Sequence, residues 1–359
     1  MNSRWTRRRF LATSGASALL AARGGVLGQD ARPPPIRIGQ IGTAHAHAAG
    51  KVASYRRSAS FELVGVVEDD PARRADAARL PAYRDVRWMT RDELFGTPGL
   101  RAVAIETRIE DLLDEAEAAV DAGFHIHLDK PAGSSLPQFR RILASATRQK
   151  LVVQMGYMYR YNPAIVLLRD LLRRGWLGEP FEVHAVMSKV VAPGDRDELA
   201  RFPGGILFEL GCHVVDLTIG LLGAPEKVTG FARHSSPRDD GLLDNMLAVL
   251  EYPRAIATVK SSAQEVEGFA RRHLVVCGTE GTLHIQPLDS PSARLALARE
   301  RGAYRAGYQE ITFPEYERYV DDAEDLARVI RGEKASDFPS AHDLAVQTAL
   351  LEACGLPTG

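Results

Sequence analysis

Apolar positions along this chain keep two different rhythms. In the first half, short apolar runs of strand length (36–41, 61–67, 102–105, 124–128 and 151–155) are separated by stretches with helical spacing or helix-start signals. Helices are expected from after His47 to about Arg57, Pro71 to about Leu80, Thr90 to Phe95, Ile109 to Ala122 and Leu136 to Arg148, with a small strand near Val86 to Met89. Asp70-Pro71 is a helix-start signal, and Gly123 marks the handover from a helix to the strand Phe124–Leu128. Strands alternating with helices predict a doubly wound, parallel α/β sheet over residues 36–155.

After Gly156 the rhythm changes. A helix from Pro163 to Arg174 leads to a Gly-Trp-Leu-Gly turn. Strand-like runs then dominate: Phe181 to Val191, Lys227 to Ala232, Met246 to Tyr252, Ala255 to Ser262, His273 to Cys277 and Thr282 to Ile285. A helix from Glu209 to Leu222 interrupts them, and two more close the chain near Tyr319–Arg331 and Ala341–Cys354. Clustered strands with few helices predict an α+β domain with a largely antiparallel sheet over residues 156–359. An open face on that sheet makes a homo-oligomer the expected state.

Composition changes this picture little. The 359 residues suit two domains, and a formal net charge of -1 gives no surplus for nucleic acid or anionic membranes. Three widely spaced cysteines, Cys212, Cys277 and Cys354, make neither a disulfide framework nor a CxxC metal cluster. The amino terminus adds more. A basic head containing Arg7-Arg8-Arg9-Phe10-Leu11, a short Ala/Gly-rich apolar run and a small-residue exit read as a twin-arginine signal peptide over residues 1–28, hence periplasmic or secreted. Residues 29–35, with three consecutive prolines, read as a linker.

Candidate chemistry begins where the first strand ends. The turn Gly42-Thr43-Ala44-His45-Ala46-His47 stands where a Gly-x-Gly-x-x-Gly dinucleotide fingerprint would, with Ala44 and His47 in place of the second and third glycines. The helix after it still offers amides to a pyrophosphate. Glu68, ending the second strand, is the expected acceptor for ribose hydroxyls, and Asp69 and Asp70 add negative charge. NAD is favoured over NADP, which Arg73 and Arg74 keep open. His45 and His47 also form a possible metal pair, but no neighbouring cysteine or carboxylate completes it, so no metal is expected; the two are expected instead as neutral cofactor-binding histidines that donate to the pyrophosphate or line the nicotinamide side. His125 and His127 share one strand face and read as structural.

Two further features carry chemistry. The strand Phe124–Leu128 ends in Asp129-Lys130-Pro131, where a rigid strand end aims the lysine at one place. Downstream, in Gly204-Gly205-Ile206-Leu207-Phe208-Glu209-Leu210-Gly211-Cys212-His213-Val214-Val215-Asp216, Glu209, His213 and Asp216 fall at i, i+4 and i+7 of a mostly apolar helix. Regular helical spacing places them on one face. Carboxylates one turn away on each side would raise the histidine's pKa and fix its tautomer for general base work. Tyr157, Tyr159, Arg160, Asn162, Arg201, Arg271 and His273 are candidates for a substrate wall, with Asp216 beside them.

Together, the fingerprint-like start, the Asp-Lys-Pro strand end and the Gly-Gly…Glu-x-Gly-x-His-x-x-Asp segment resemble the glucose–fructose oxidoreductase/inositol dehydrogenase (Gfo/Idh/MocA) family. The similarity runs from about Ile36 to the C-terminus, including Met246–Tyr252 and Gly278–Leu283. The resemblance implies a Rossmann-type first domain and a nicotinamide enzyme acting on a CH–OH carbon of a sugar, polyol or sugar derivative. Lys130 matches the family's active-site lysine and His213 its acid/base histidine. Glu209 stands where aspartate is usual, Asp129 where glutamate is usual, and Arg108 replaces the proline that usually comes after Thr107. An NAD-dependent glycosidase or lyase using transient oxidation, and a non-catalytic sugar or cofactor binder, are the alternatives.

Overall fold

The computed structural model describes residues 33–359, and Pro35–Gly359 forms one compact unit. The signal-peptide reading and residues 29–32 of the linker lie outside the described residues. The chain runs β1 (Ile36–Ile41), α1 (Ala48–Arg57), β2 (Phe61–Val67), α2 (Pro71–Ala78), β3 (Trp88–Met89), α3 (Arg91–Phe95), β4 (Leu100–Ile105), α4 (Leu112–Asp121), β5 (His125–Leu128), α5 (Leu136–Gln149) and β6 (Val153–Met155). These six strands form a wholly parallel sheet in the order β3-β2-β1-β4-β5-β6. The order reverses between β1 and β4, which opens a crevice beyond their carboxyl ends.

The second half runs α6 (Pro163–Arg173), β7 (Pro180–Val186), α7 (Pro193–Leu199), a π-helical turn (Leu207–Gly211), α8 (Cys212–Leu222), β8 (Lys227–Arg233), β9 (Asn245–Glu251), β10 (Ile256–Ser262), α9 (Gly268–Arg271), β11 (His273–Gly278), β12 (Gly281–Ile285), β13 (Ser292–Leu297), β14 (Gly307–Thr312), α10 (Val320–Ile330) and α11 (Ser340–Ala353). Its eight strands lie in the order β14-β13-β12-β11-β7-β10-β9-β8 and are antiparallel except for the β7–β10 pair. Ala248, Leu250, Ala257, Val259, Leu274 and Val276 of this sheet are fully buried.

Several expectations are corrected in detail. The strand expected over Phe181–Val191 stops at Val186. β13 and β14 were not expected: Ser-Ala-Arg-Leu-Ala-Leu has helix-forming residues, but pairing with β12 overrides that propensity. α7, which begins with Pro193 in its first turn, was also missed. The expected helix Glu209–Leu222 starts earlier and opens with the π turn. Finally, α10 packs back on the first sheet, where Ala323, Leu326, Ala327 and Ile330 share a core with Ile36, Ile38, Ala102 and Ala104.

Candidate functional site

The crevice begins at the end of β1. Gly42 has φ +84°, and a Cβ there would lie 2.6 Å from the backbone nitrogen of Thr107, so a side chain is excluded both by conformation and by space. Beside it, the Glu68 carboxylate at the end of β2 is nearly buried and fully engaged. Oε2 accepts from the Thr43 amide at 2.8 Å and the Thr43 hydroxyl at 2.7 Å; Oε1 accepts from the Asp70 amide at 3.1 Å and Arg73 Nε at 3.2 Å. A cavity of about 260 Å³ lies here, lined by Gly42, Ala44, Glu68, Asp69, Thr107 and Arg108 among others. This cradle, with its tight turn, close backbone approach and acidic end, fits the adenosine half of a dinucleotide.

A second cavity, about 280 Å³, shares Ala44, Thr107 and Arg108 with the first and continues past His45 to Lys189 and Glu209. The two make a cleft from Glu68 toward Glu209. A larger hollow of about 460 Å³ lies on the second sheet among Val275, Thr282, His284 and Tyr308, where none of the expected site residues falls.

Lys130 is buried, and its ammonium donates to Glu209 twice, at 3.0 Å to the backbone oxygen and 3.2 Å to Oε1. The Lys130–Pro131 peptide is cis. Burial opposes the charge on Lys130, but Glu209, Cys212 and Asp129 outweigh it and raise its pKa above the ordinary lysine value. Glu209 responds in the opposite sense: burial works against ionisation, and Lys130, Lys189 and His45 overcome it, holding the carboxyl at about 2.

His213 is buried, with its ring 5.7 Å from those of His47 and Tyr159 and 5.9 Å from that of Tyr157. Its Nδ1 has no hydrogen-bond partner among the described residues. Burial first, then the nearby Lys130 and His47, push its pKa well below the ordinary histidine value. The expected carboxylate clamp is therefore corrected. The π turn at Leu207–Gly211 carries an extra residue per turn, which shifts the phase of Glu209 relative to the residues of α8. Glu209 turns to Lys130, while Asp216 turns to Arg160 and His342, and the histidine stays neutral.

Beneath the cleft sits a polar cluster that spacing alone did not assemble. Asp129, fully buried, lies against His45 Nδ1 through Oδ2, and its Oδ1 is 3.3 Å from both His47 Nδ1 and Lys51 Nζ. Lys51 Nζ also reaches Glu106 Oε1 at 2.8 Å. Burial opposes the charge on Lys51, but Asp129 and Glu106 outweigh it, and its pKa is pushed up to about 12. Burial likewise opposes ionisation of Asp129, yet His45, Lys51 and His47 hold its carboxyl well below the usual range; Glu106 is pushed up by burial and by Asp129. His47, whose ring also faces Tyr319 at 5.5 Å, is kept neutral by burial at about 3. His47 thus points under the turn toward Asp129, away from the expected place on a pyrophosphate.

The expected substrate wall is largely dispersed. Arg160 is buried, with Nη2 2.6 Å from Asp216 Oδ1 and 2.5 Å from Asp343 Oδ1. Asn162 caps α6 and donates to the Leu288 oxygen at 2.8 Å. These residues and Asp216 are committed to buried packing and are not free for a ligand. Arg271 pairs with Glu265, and His273 Nδ1 lies 3.0 Å from the Arg271 oxygen, near α9. Arg201 lines a separate hollow with Ser134, Gln138 and Phe208. Tyr159 donates to Asp289 at 3.0 Å, while Tyr157 stays edge-on to His213. His125 and His127 are structural, as expected: His125 Nδ1 accepts the Val152 amide at 2.9 Å, and His127 meets the Tyr55 hydroxyl. Lys51, one turn after His47, and Lys189 were missed. A lysine on the buried side of α1 was a readable signal; Lys189 carried none.

Comparisons with known proteins fit this geometry. Residues 36–157 match the model described as an oxidoreductase family with an NAD-binding Rossmann fold, and residues 165–284 match the GFO/IDH/MocA C-terminal domain. Inositol 2-dehydrogenase 1 of Saccharopolyspora erythraea is 28% identical over 89% of this chain and 93% of its own length. The uncharacterized oxidoreductase YdgJ of Escherichia coli is 27% identical over 72% of this chain and 74% of its own. Among solved structures, an oxidoreductase from Agrobacterium radiobacter in complex with NAD+, L-tartaric acid and magnesium superposes with a TM-score of 0.77 at 16% identity, covering 89% of this chain and 96% of the other. With both halves matched to one family and the fold in agreement, the chain belongs to the GFO/IDH/MocA family of oxidoreductases with an NAD-binding Rossmann fold.

Proposed function

We propose that this protein is a nicotinamide-dependent dehydrogenase of a CH–OH carbon in a sugar, polyol or sugar derivative, with NAD preferred to NADP. The observation that carries this reading is the cleft that leads from Gly42 and Glu68 past Thr107 to Glu209, whose carboxylate holds the buried Lys130, with the buried His213 close by that lysine. Gly42, Thr43, Ala44, Glu68, Asp69 and Thr107 would hold the dinucleotide, which when bound accepts or returns a hydride. Glu68 disfavours a 2′-phosphate by its charge.

The remaining work falls to the chain. Removing hydride from a CH–OH carbon leaves a carbonyl, so the hydroxyl proton must leave as well. His213, neutral and with Nδ1 unpartnered among the described residues, accepts that proton. Lys130 gives two hydrogen bonds to Glu209, and the third of its ammonium donors is directed to the substrate oxygen. Glu209 fixes the lysine's position and charge. Lys189, at the same cavity, meets substrate hydroxyls at the rim.

Lys130→Ala and His213→Ala should each abolish sugar-dependent nicotinamide reduction while leaving nicotinamide binding, read by fluorescence, within about twofold of the parent. A protein that binds no nicotinamide at all would end this reading. The same proposal takes Arg7-Arg8-Arg9-Phe10-Leu11 as a twin-arginine export signal for a folded, cofactor-loaded enzyme. Cell fractionation with Arg7 and Arg8 replaced by lysine tests that part, and unchanged export would refute it.

A further inference from the structure

The cluster under the cleft holds an unresolved electrostatic contact. Asp129 Oδ1 is satisfied: it accepts the Lys130 amide at 2.7 Å and faces Lys51 Nζ at 3.3 Å. Asp129 Oδ2 has no hydrogen-bond partner among the described residues, although the side chain is fully buried. What lies against Oδ2 is His45 Nδ1, a nitrogen that already accepts the His47 amide at 3.3 Å. While it holds the His47 amide, this nitrogen is an acceptor facing an acceptor oxygen, and either a proton on Nδ1 or a metal ion between the two atoms makes the contact favourable.

Either one takes the single Nδ1 lone pair from the His47 amide, but a proton on His45 serves one contact alone. The surroundings favour a larger cation. His47, whose Nδ1 lies 3.3 Å from Asp129 Oδ1, completes a set in which one candidate ligand atom from each of His45, His47 and Asp129 lies within 4.8 Å of the other two. An ion bonded at about 2.1 Å holds tetrahedral ligands about 3.4 Å apart, so small side-chain shifts suffice. Nearby, the ring of His213 lies 5.7 Å from that of His47, and its own Nδ1 is buried and unpartnered among the described residues. Lys51 is a repulsive neighbour for any metal ion. It also pins Oδ1, however, which leaves Oδ2 as a single ligating oxygen held by an outer layer of hydrogen bonds.

We propose that His45 Nδ1, His47 Nδ1 and Asp129 Oδ2 bind one divalent first-row transition-metal ion of the zinc class, leaving a coordination position open to a water or a substrate oxygen. A two-imidazole, one-carboxylate set without thiolate suits zinc, cobalt, iron or manganese rather than copper(I). His45 lines the cleft wall, which gives the ion its route in. The sequence hid this site because its carboxylate comes from the end of β5, far along the chain from the histidine pair. The existence of the site does not depend on the proposed dehydrogenase reaction. Its role does: a metal there would polarise the oxygen that Lys130 and His213 also address.

The full-length protein, stripped with chelator, is titrated with cobalt(II) and monitored by visible absorption, with bound metal counted by mass spectrometry after dialysis. The expected result is close to one cobalt ion per chain with d–d bands of a nitrogen- and oxygen-ligated ion, competed by zinc. His45→Gln and His47→Gln should each weaken binding at least roughly tenfold; His45 stands at the cleft rim, so its variant keeps the fold, checked by circular dichroism. No cobalt bands and no retained zinc in the parent would overturn the proposal, as would equal binding by the folded His45→Gln protein. Nicotinamide binding is measured on the same samples: metal without nicotinamide would sink the dehydrogenase reading alone, and nicotinamide without metal would sink this one alone.

Discussion

Arg160 gives the sharpest test, because its residue type suggests a ligand contact and its surroundings give it structural work. The guanidinium donates to Asp216 through Nε at 3.1 and 3.2 Å and through Nη2 at 2.6 Å, and Nη2 also reaches Asp343 at 2.5 Å. All three side chains are 1% exposed. The guanidinium also lies 4.1 Å from the ring centroid of Phe338 and 4.9 Å from that of Tyr157. Arg160→Met keeps the stem's volume and removes the charge, leaving two buried carboxylates with only His342 beside them. Breaking a buried pair in this way costs about 3–5 kcal/mol. In a chain of this size that is a fall of roughly 4–7 °C in Tm. The assay is urea unfolding with a parallel thermal melt. Arg160→Met/Asp343→Asn should lose less than the sum of its single variants, because each single change strands a charge that the double change removes. The Michaelis constant for the proposed sugar or polyol substrate should stay within about threefold of the parent. A folded Arg160→Met protein of parental stability with a Michaelis constant raised a hundredfold would refute the structural assignment and return Arg160 to the substrate wall.

Two shorter predictions concern other buried groups. Glu209→Gln removes the charge that holds the Lys130 ammonium but keeps its shape; kcat should fall at least roughly tenfold with nicotinamide affinity unchanged, measured by steady-state kinetics and fluorescence titration. Asp322, whose carboxyl is raised from 3.8 to about 7 mainly by burial, binds its proton more tightly folded than unfolded. Its cost to stability is therefore absent below about pH 4, grows as pH rises toward 7 and is complete above that. Asp322→Asn should stabilise the protein at pH 8 by up to roughly 4 kcal/mol, with the gain vanishing near pH 4; equal unfolding midpoints at both pH values would contradict this.

Legibility in the chain tracks the range of the interactions involved. The parallel strands announced themselves because strands covered on both faces are written as near-continuous apolar runs, such as Ala102–Ile105. β13 did not, since an edge-side strand of Ser, Ala, Arg and Leu acquires its conformation from β12. Lys130 and Glu209 were both singled out, and they do meet, but their pairing with each other was not expected. The pairing depends on a π turn, and one inserted residue leaves no mark in a pattern read at 3.6 residues per turn. Arg160 was misplaced for a different reason: its partner Asp343 lies in the last helix, and no local spacing reports a contact of that separation. The histidine pair lacked its carboxylate in the sequence pattern for the same reason.

The return of α10 to the first sheet bears on how the protein is made. Ile36 and Ile38 lie in a core completed by Ala323, Leu326 and Ile330, and Ser54 donates to the Tyr319 oxygen at 2.8 Å. A ribosome that has released only the first half of the chain has therefore made a nucleotide-binding sheet with one apolar face covered only in part, by residues such as Tyr55 of α1. That half waits for residues synthesised near the end, and a chain truncated before Val320 should leave it prone to aggregation. On the proposed nicotinamide-dependent reading, cofactor loading should then be an event of the finished polypeptide, after translation has ended.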